Sequence, residues 1–267
     1  MKVKTTKITN FYGLELKEAT FKNKEFPDHF HDSFSIGIIT EGVEKIRISE
    51  NEQIAFSNSV IIFNQFETHS NQNFDKDNCS FLTSYIHQDI LHFICKKQNI
   101  PIPNRLEFHN LIYDDKLCKS LINFHNNELQ DKNLQLENIV TYLLTTQLKN
   151  NKTQHSQSID GKIDTIRSFI HENLYEKLSL SNISEKFKID KFRLIRQFKS
   201  STGLTPLNYI IMHRLDKSKT MIQQKMPLVE VALECGFYDQ SCFTKFFNKY
   251  YGISPYNYSK NYFETTF

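Results

Sequence analysis

Phe198-Lys-Ser-Ser-Thr-Gly203-Leu-Thr-Pro206-Leu-Asn208-Tyr209 recurs 49 residues later as Phe247-Asn-Lys-Tyr-Tyr-Gly252-Ile-Ser-Pro255-Tyr-Asn257-Tyr258. A shared Phe-x4-Gly-x-[Thr/Ser]-Pro-x-Asn-Tyr string at a fixed offset is the signature of an internal repeat. Each copy closes the same kind of pattern upstream: a short amphipathic segment, a turn, then a second helix. In the first copy Ser179 is a fit N-cap for a helix that buries Leu180, Ile183 and Phe187. Lys188-Ile189 makes the turn, and Asp190 or Lys191 opens a second helix with Leu194, Ile195 and Phe198 as its buried stripe.

In the second copy Pro227 starts the first helix, where its missing amide proton has no partner to lose. Ala232 lets two helices cross closely and Gly236 allows the sharp turn. Ser184 and Lys188 match Ala232 and Gly236 at an offset of 48, so the second copy holds one extra residue in its turn or at the start of its second helix. Lys188 takes a left-handed backbone less cheaply than glycine, so the first turn must differ in shape or cost roughly 1 kcal/mol. The outward positions are Lys191, Phe192, Arg193, Arg196 and Gln197 in one copy and Asp239, Gln240, Ser241, Thr244 and Lys245 in the other. Cationic and amide side chains on the outer face of such a helix suit a DNA major groove. Gly203 and Gly252 end these helices, and the segment from Tyr209 to Ile222 is long enough to join the copies rigidly. With an opening helix over Asp160 to Glu172, seven helices are expected in about 100 residues.

The rest of the chain has another texture. From about Phe21 to Cys79, short β-branched or aromatic runs at Phe34–Ile39, Glu44–Ile48, Gln53–Phe56 and Val60–Phe63 alternate with turns, with Gly42 and Asn51 as turn positions. So many short strands predict a small barrel or jelly roll. After Tyr85 the period becomes helical, over Asp89–Lys97, Asp114–Asn126 and Leu134–Lys149. The apolar stripe of the last segment predicts contact with a second subunit or packing within the chain. Residues 150–158 are polar and without period, as a linker is. The expected fold class is α+β: residues 1–150 as a β-barrel or jelly roll followed by helices, 151–159 as a linker, and 160–267 as an all-α domain. Within that domain the helix-turn-helix units fall at about 179–203 and 227–252.

Composition bounds the function. Residues from Asp160 onward carry 16 Lys and Arg against 11 Asp and Glu, while residues 1–159 carry 17 against 19. A basic half beside a slightly acidic one fits nucleic acid at one end and another ligand at the other. Five cysteines without a CxxC pair predict reduced, packed thiols. The N-terminal MKVKTTKITNFYG lacks a signal peptide's apolar core, and no apolar run approaches the ~20 residues of a membrane span, so a cytoplasmic protein is expected.

His29 and His31 point to one face if they lie in one strand, and with His69 they converge on a metal or line a polar pocket. The absence of a clear fourth ligand favours the pocket. No metal, no other cofactor and no catalytic residue are expected.

The chain resembles the arabinose-regulator (AraC/XylS) family of transcription factors over nearly its whole length. The match is densest along Val231-Ala-x3-Gly236-Phe-x-Asp239-Gln-Ser-x-Phe243-x-Lys-x-Phe247-x4-Gly252-x-Ser-Pro255-x2-Tyr258, with Leu194-x-Arg196-x-Phe198, Gly203, Pro206, Tyr209 and Arg214-Leu215 in the first copy. Cys242, Lys245, Asn248 and Ser184 depart from the usual residues. The N-terminal part is similar to the family's cupin-type sensor barrel, although Ser35 stands where metal-binding cupins place glutamate. The resemblance implies double-stranded DNA as partner, entry of two helices into successive grooves about 34 Å apart, a small-molecule effector, a homodimer and, for an activator, RNA polymerase. Candidate effector-facing residues are His31, Phe34, Ile36, Ile38, Phe63 and His69. Two other classes fit parts of the sequence: a metal-dependent enzyme, against which Ser35 argues, and an adaptor that has lost DNA binding, against which Arg193 and Arg196 argue.

Overall fold

The computed structural model describes residues 2–8, 13–74, 77–102, 106–126, 132–149 and 161–264. The expected linker 151–159 lies outside them. The chain divides into two compact units, one built mainly on Phe30–Asn150 and one on Asn151–Lys260.

The described residues hold ten strands: β1 (Lys2–Ile8), β2 (Leu14–Lys22), β3 (Glu25–His29), β4 (Phe34–Glu41), β5 (Val43–Ile48), β6 (Asn51–Phe56), β7 (Val60–Phe63), β8 (His69–Asn73), β9 (Asn78–Ile86) and β10 (Leu111–Ile112). They form a six-stranded sheet, β1-β2-β9-β4-β7-β10, and a four-stranded sheet, β3-β8-β5-β6, a jelly-roll-like pair. The helices are α1 (Gln88–Lys97), α2 (Asp115–Asn126) and α3 (Lys132–Thr146). The four sequence-read strands and three helices are present. β1 and β2 precede the expected barrel start, because charged residues at alternate positions of β2 hide an extended pattern that is buried on both faces. The β5–β6 turn is Ser49-Glu50, with Ser49 at φ +56, and Asn51 instead begins β6.

Alternation along the large sheet divides two cores. Leu14, Leu16, Phe34, Ile36, Ile38, Val60, Ile62 and Ile86 pack with the helices, on Ile90, Leu91, Leu117, Leu121, Phe124, Ile139 and Leu143. The residues between them in sequence, Ile39, Ile61, Phe63 and Cys79, turn the other way and join Ile46 and Ala55 of the small sheet. A period of two sends neighbours to opposite faces, and this decides which residues face the space between the sheets.

The second unit has seven helices among the described residues: α4 (Gly161–Glu172), α5 (Leu180–Lys186), α6 (Lys191–Thr202), α7 (Pro206–Gln223), α8 (Leu228–Glu234), α9 (Gln240–Tyr251) and α10 (Pro255–Glu264). Each letter of the repeated string has a local task. Phe198, Phe247, Tyr209 and Tyr258 are buried. Gly203 and Gly252 end α6 and α9 in the left-handed region, at φ +78 and +71. Thr205 and Ser254 cap the helices that follow, accepting from the amides of Asn208 and Asn257 at 3.4 and 3.2 Å. Pro206 and Pro255 are the first residues of those helices, where proline costs no hydrogen bond.

Candidate functional site

Both helix-turn-helix corners share one backbone geometry. After α5, the amide of Ile189 donates to Ser184 O at 3.1 Å and that of Lys188 to Glu185 O at 3.2 Å. After α8, Phe237 donates to Ala232 O and Gly236 to Leu233 O, both at 2.9 Å. Each pair is a Schellman motif, which needs a left-handed residue at the position after the cap. Gly236 supplies it at φ +75 and Lys188 at φ +47. The first turn therefore has the shape of the second, and Lys188 carries the strain. Ser184 adds a hydroxyl bond to Ile189 O at 2.7 Å that Ala232 cannot make.

Asp190 and Asp239 cap the second helices of the two corners, α6 and α9. Asp190 accepts from the amides of Phe192 and Arg193 at 3.0 Å, and Asp239 from that of Cys242 at 2.7 Å. The extra residue of the second copy is thus Tyr238, between the turn and the cap, and its side chain is 88% exposed. Leu194, Phe198, Phe243 and Phe247 are buried. Lys191, Phe192, Arg193, Arg196, Gln240, Ser241 and Lys245 are exposed, while Gln197 and Thr244 are half-buried. Phe192, 75% exposed, has no core to fill. Asp239 is engaged as a cap, so of the outward candidates it is the one whose carboxylate already has an amide partner.

In the first unit, three of the effector-facing candidates need correction. Phe34, Ile36 and Ile38 belong to the core beneath the helices, since their parity on β4 turns them away from the small sheet. The inner face of β4 carries Ser35, Gly37 and Ile39. Ser35 sits opposite Tyr85 on one side and Phe63 on the other, and Tyr85 sits opposite Glu15, making one row across four strands. The adjacent row runs Lys17, Thr83, Gly37, Ile61. Phe63 stacks on His69 with ring centroids 3.5 Å apart, and His31 lies 5.2 Å from His69 and 5.1 Å from Tyr85. Glu15, Lys17, Ser35, Thr83, His31 and His69 are all buried. Tyr85, Glu15, Lys17 and Thr83 were missed in the sequence; the alternation Leu14-Glu15-Leu16-Lys17 is the signal that marks two of them.

On the small sheet, buried Glu44 accepts from Asn71 Nδ2 at 2.6 Å. Burial raises its pKa to about 7, against the Asn71 hydrogen bond and the attraction of Lys17, which pull it down. Lys17 Nζ is 5.7 Å from the ring centroids of both Phe21 and Phe81. Buried side chains of both charges and stacked aromatic rings thus meet between the sheets, a lining whose chemistry suits a small polar or amphipathic ligand.

β3 ends at His29, so His29 and His31 do not share a strand as expected. His29, His31 and His69 nevertheless offer ring nitrogens within 4.8 Å of one another. Nδ1 of His29 is 2.7 Å from Pro27 O and Nδ1 of His69 is 2.8 Å from Glu67 O. A carbonyl has no proton to give, so each Nδ1 donates and leaves Nε2 as the basic nitrogen. Such imidazoles suit a ligand's hydrogen-bond donor as well as a borderline divalent ion.

Comparison with known proteins agrees with both halves. Residues 11–142 match the family described as AraC-like ligand binding domain, and residues 183–261 match a helix-turn-helix domain family. The chain is 27% identical over 237 residues to the uncharacterized HTH-type transcriptional regulator YbfI of Bacillus subtilis (strain 168), covering 85% of this chain and 86% of that one. It is 22% identical over 251 residues to the HTH-type transcriptional activator RhaS of Yersinia pestis bv. Antiqua (strain Antiqua), covering 89% and 90%. Among solved structures, unsaturated fatty acid bound ToxT from Vibrio cholerae strain SCE256 superposes with a TM-score of 0.58 over 92% of this chain and 94% of that one. At 14% identity the likeness is one of fold.

Proposed function

The chain belongs to the AraC family of transcriptional regulators, and we propose that it is a sequence-specific activator that places α6 and α9 in adjacent major grooves in response to a small molecule. The observation that carries the DNA reading is the doubled corner. Two Schellman turns lead into Asp-capped helices of equal length, each buried on one side and bearing cationic or amide side chains on the other. In this reading Arg193 and Arg196 face guanine edges or the adjoining phosphates, Gln240 faces adenine, and Lys191 and Lys245 hold the backbone.

Residues 1–150 are the sensor and dimerisation part, 151–159 the linker and 160–267 the DNA-binding part. The effector lies against the row Glu15, Tyr85, Ser35 and Phe63, with His31 and His69 beside it; this replaces Phe34, Ile36 and Ile38. The protein acts as a cytoplasmic homodimer that engages RNA polymerase, without cofactor or catalysis of its own. No described helix is long and apolar enough to cross a membrane.

Selection of duplexes from genomic DNA by the purified full-length chain tests the reading. A recovered site with two elements one helical turn apart, about 34 Å, is expected. No enrichment over random DNA sinks it.

A further inference from the structure

We propose that Arg214 is the positioning residue that fixes the spacing between the two recognition helices, an inference that rests on the two-groove reading above. Arg214 sits midway along α7, the helix that joins the two corners, and is 9% exposed. Its guanidinium donates three hydrogen bonds, all to backbone carbonyls: Nε to Leu174 at 2.8 Å, Nη2 to Glu176 at 2.6 Å and Nη1 to Gly236 at 2.7 Å. Leu174 and Glu176 lie in the segment that leads from α4 into the first corner, and Gly236 is the left-handed residue of the second. One planar group therefore ties the approach to one corner to the turn of the other.

The chemistry makes this a gauge and more than a filler. Carbonyls just past the ends of α4 and α8 carry the negative ends of those helices, which favours a cation there. The fork is rigid, so its donors lie in one plane at fixed angles. The point charge of a lysine would satisfy one acceptor without imposing that geometry. Gly236 is fitted to the same contact: a Cβ at that position would lie 2.9 Å from Arg214 Cζ and 2.8 Å from Tyr175 O.

Other bonds described for α7 each serve one corner. Tyr209 packs on Phe198 and bonds His171, on the first side. Asp216 accepts from Tyr251, and Gln223 donates to Tyr258, on the second. Arg214 is bonded toward both.

The test uses the full-length chain with Arg214→Lys and Arg214→Gln. Each is titrated on the selected duplex, on duplexes with one or two base pairs inserted or removed between the elements, and on a duplex with one element only. Thermal unfolding is followed in parallel. The variants are expected to lose about tenfold on the native spacing, to stay within about twofold of wild type on the single element, and to show a flattened spacing profile. Gly236→Ala, which disturbs the contact from its other side, is expected to flatten the profile likewise.

Three results overturn the proposal alone: variants that keep the wild-type profile, variants that lose equally on the single element, or failure of both Arg214 variants to fold, which would make the residue one of stability. Wild-type protein that prefers no spacing removes the two-groove reading, and the proposal falls with it.

Discussion

Arg196 is exposed on α6, nearly two turns past the cap and two residues before buried Phe198. Replacing it by alanine should weaken binding to the selected site by ~1–3 kcal/mol while leaving scrambled DNA nearly unaffected. Fluorescence anisotropy on both duplexes checks this, and equal loss on both would reassign Arg196 to a phosphate. Glu44 sets a second residue-scale expectation. Its pKa is raised from 4.5 to about 7 by burial, so the folded state prefers the protonated acid. The stabilisation from holding that proton is complete below the unfolded value and is lost as pH rises through the folded one, by roughly 3 kcal/mol in all. Glu44→Gln copies the protonated form and keeps an acceptor for Asn71. Its stability should match wild type near the acid end of that window, exceed it increasingly as pH rises to about 7, and hold a constant lead above. Urea unfolding of both proteins across the window reads the difference directly, and parallel curves would show that Glu44 titrates normally.

At the scale of elements, the two corners are the same device made from different residues. The first corner has Lys188 left-handed and a serine hydroxyl closing the turn; the second has glycine and an arginine against it. Lys188→Gly should raise stability by up to about 1 kcal/mol, since the strain of the left-handed lysine is relieved at some cost in chain entropy. Gly236→Ala should lower it by roughly 1–3 kcal/mol, because both φ and the approach of Arg214 and Tyr175 oppose a methyl group there. Thermal unfolding of the pair checks the opposite signs. Two changes of the same sign would mean that the turns are not equivalent.

At the scale of the whole molecule, one chain joins a sheet unit with a buried polar interior to a basic unit that repeats its helix-turn-helix corner. Two elements read by one polypeptide make binding depend steeply on their phasing and on salt. Inserting about half a helical turn between the elements should abolish the gain from the second. The log of the binding constant should fall linearly with log salt, by about 0.9 for each phosphate neutralised. Titrations at several salt concentrations, on native and lengthened sites, test both. A salt-independent affinity would place the chemistry elsewhere than on DNA.

The sequence by itself determined the repeat, the helices and four of the ten described strands. Gly203, Pro206, Asn208 and their counterparts act on the backbone within a few residues of themselves, through φ, a missing amide or a cap, so their meaning is local and readable. The same holds for the four strands from Phe34 to Phe63 and the helical stripes after Tyr85. Tertiary structure alone decided which face of β4 looks inward, because that follows from pairing with β9 and β7 rather than from composition; Phe34, Ile36 and Ile38 read as pocket residues until Ser35 is found opposite Tyr85 and Phe63. It also decided that Arg214, one cation among many in a basic half, closes on carbonyls from two distant segments. A hydrogen bond between residues far apart in the chain leaves no periodicity behind, and only the packed helices bring its partners together.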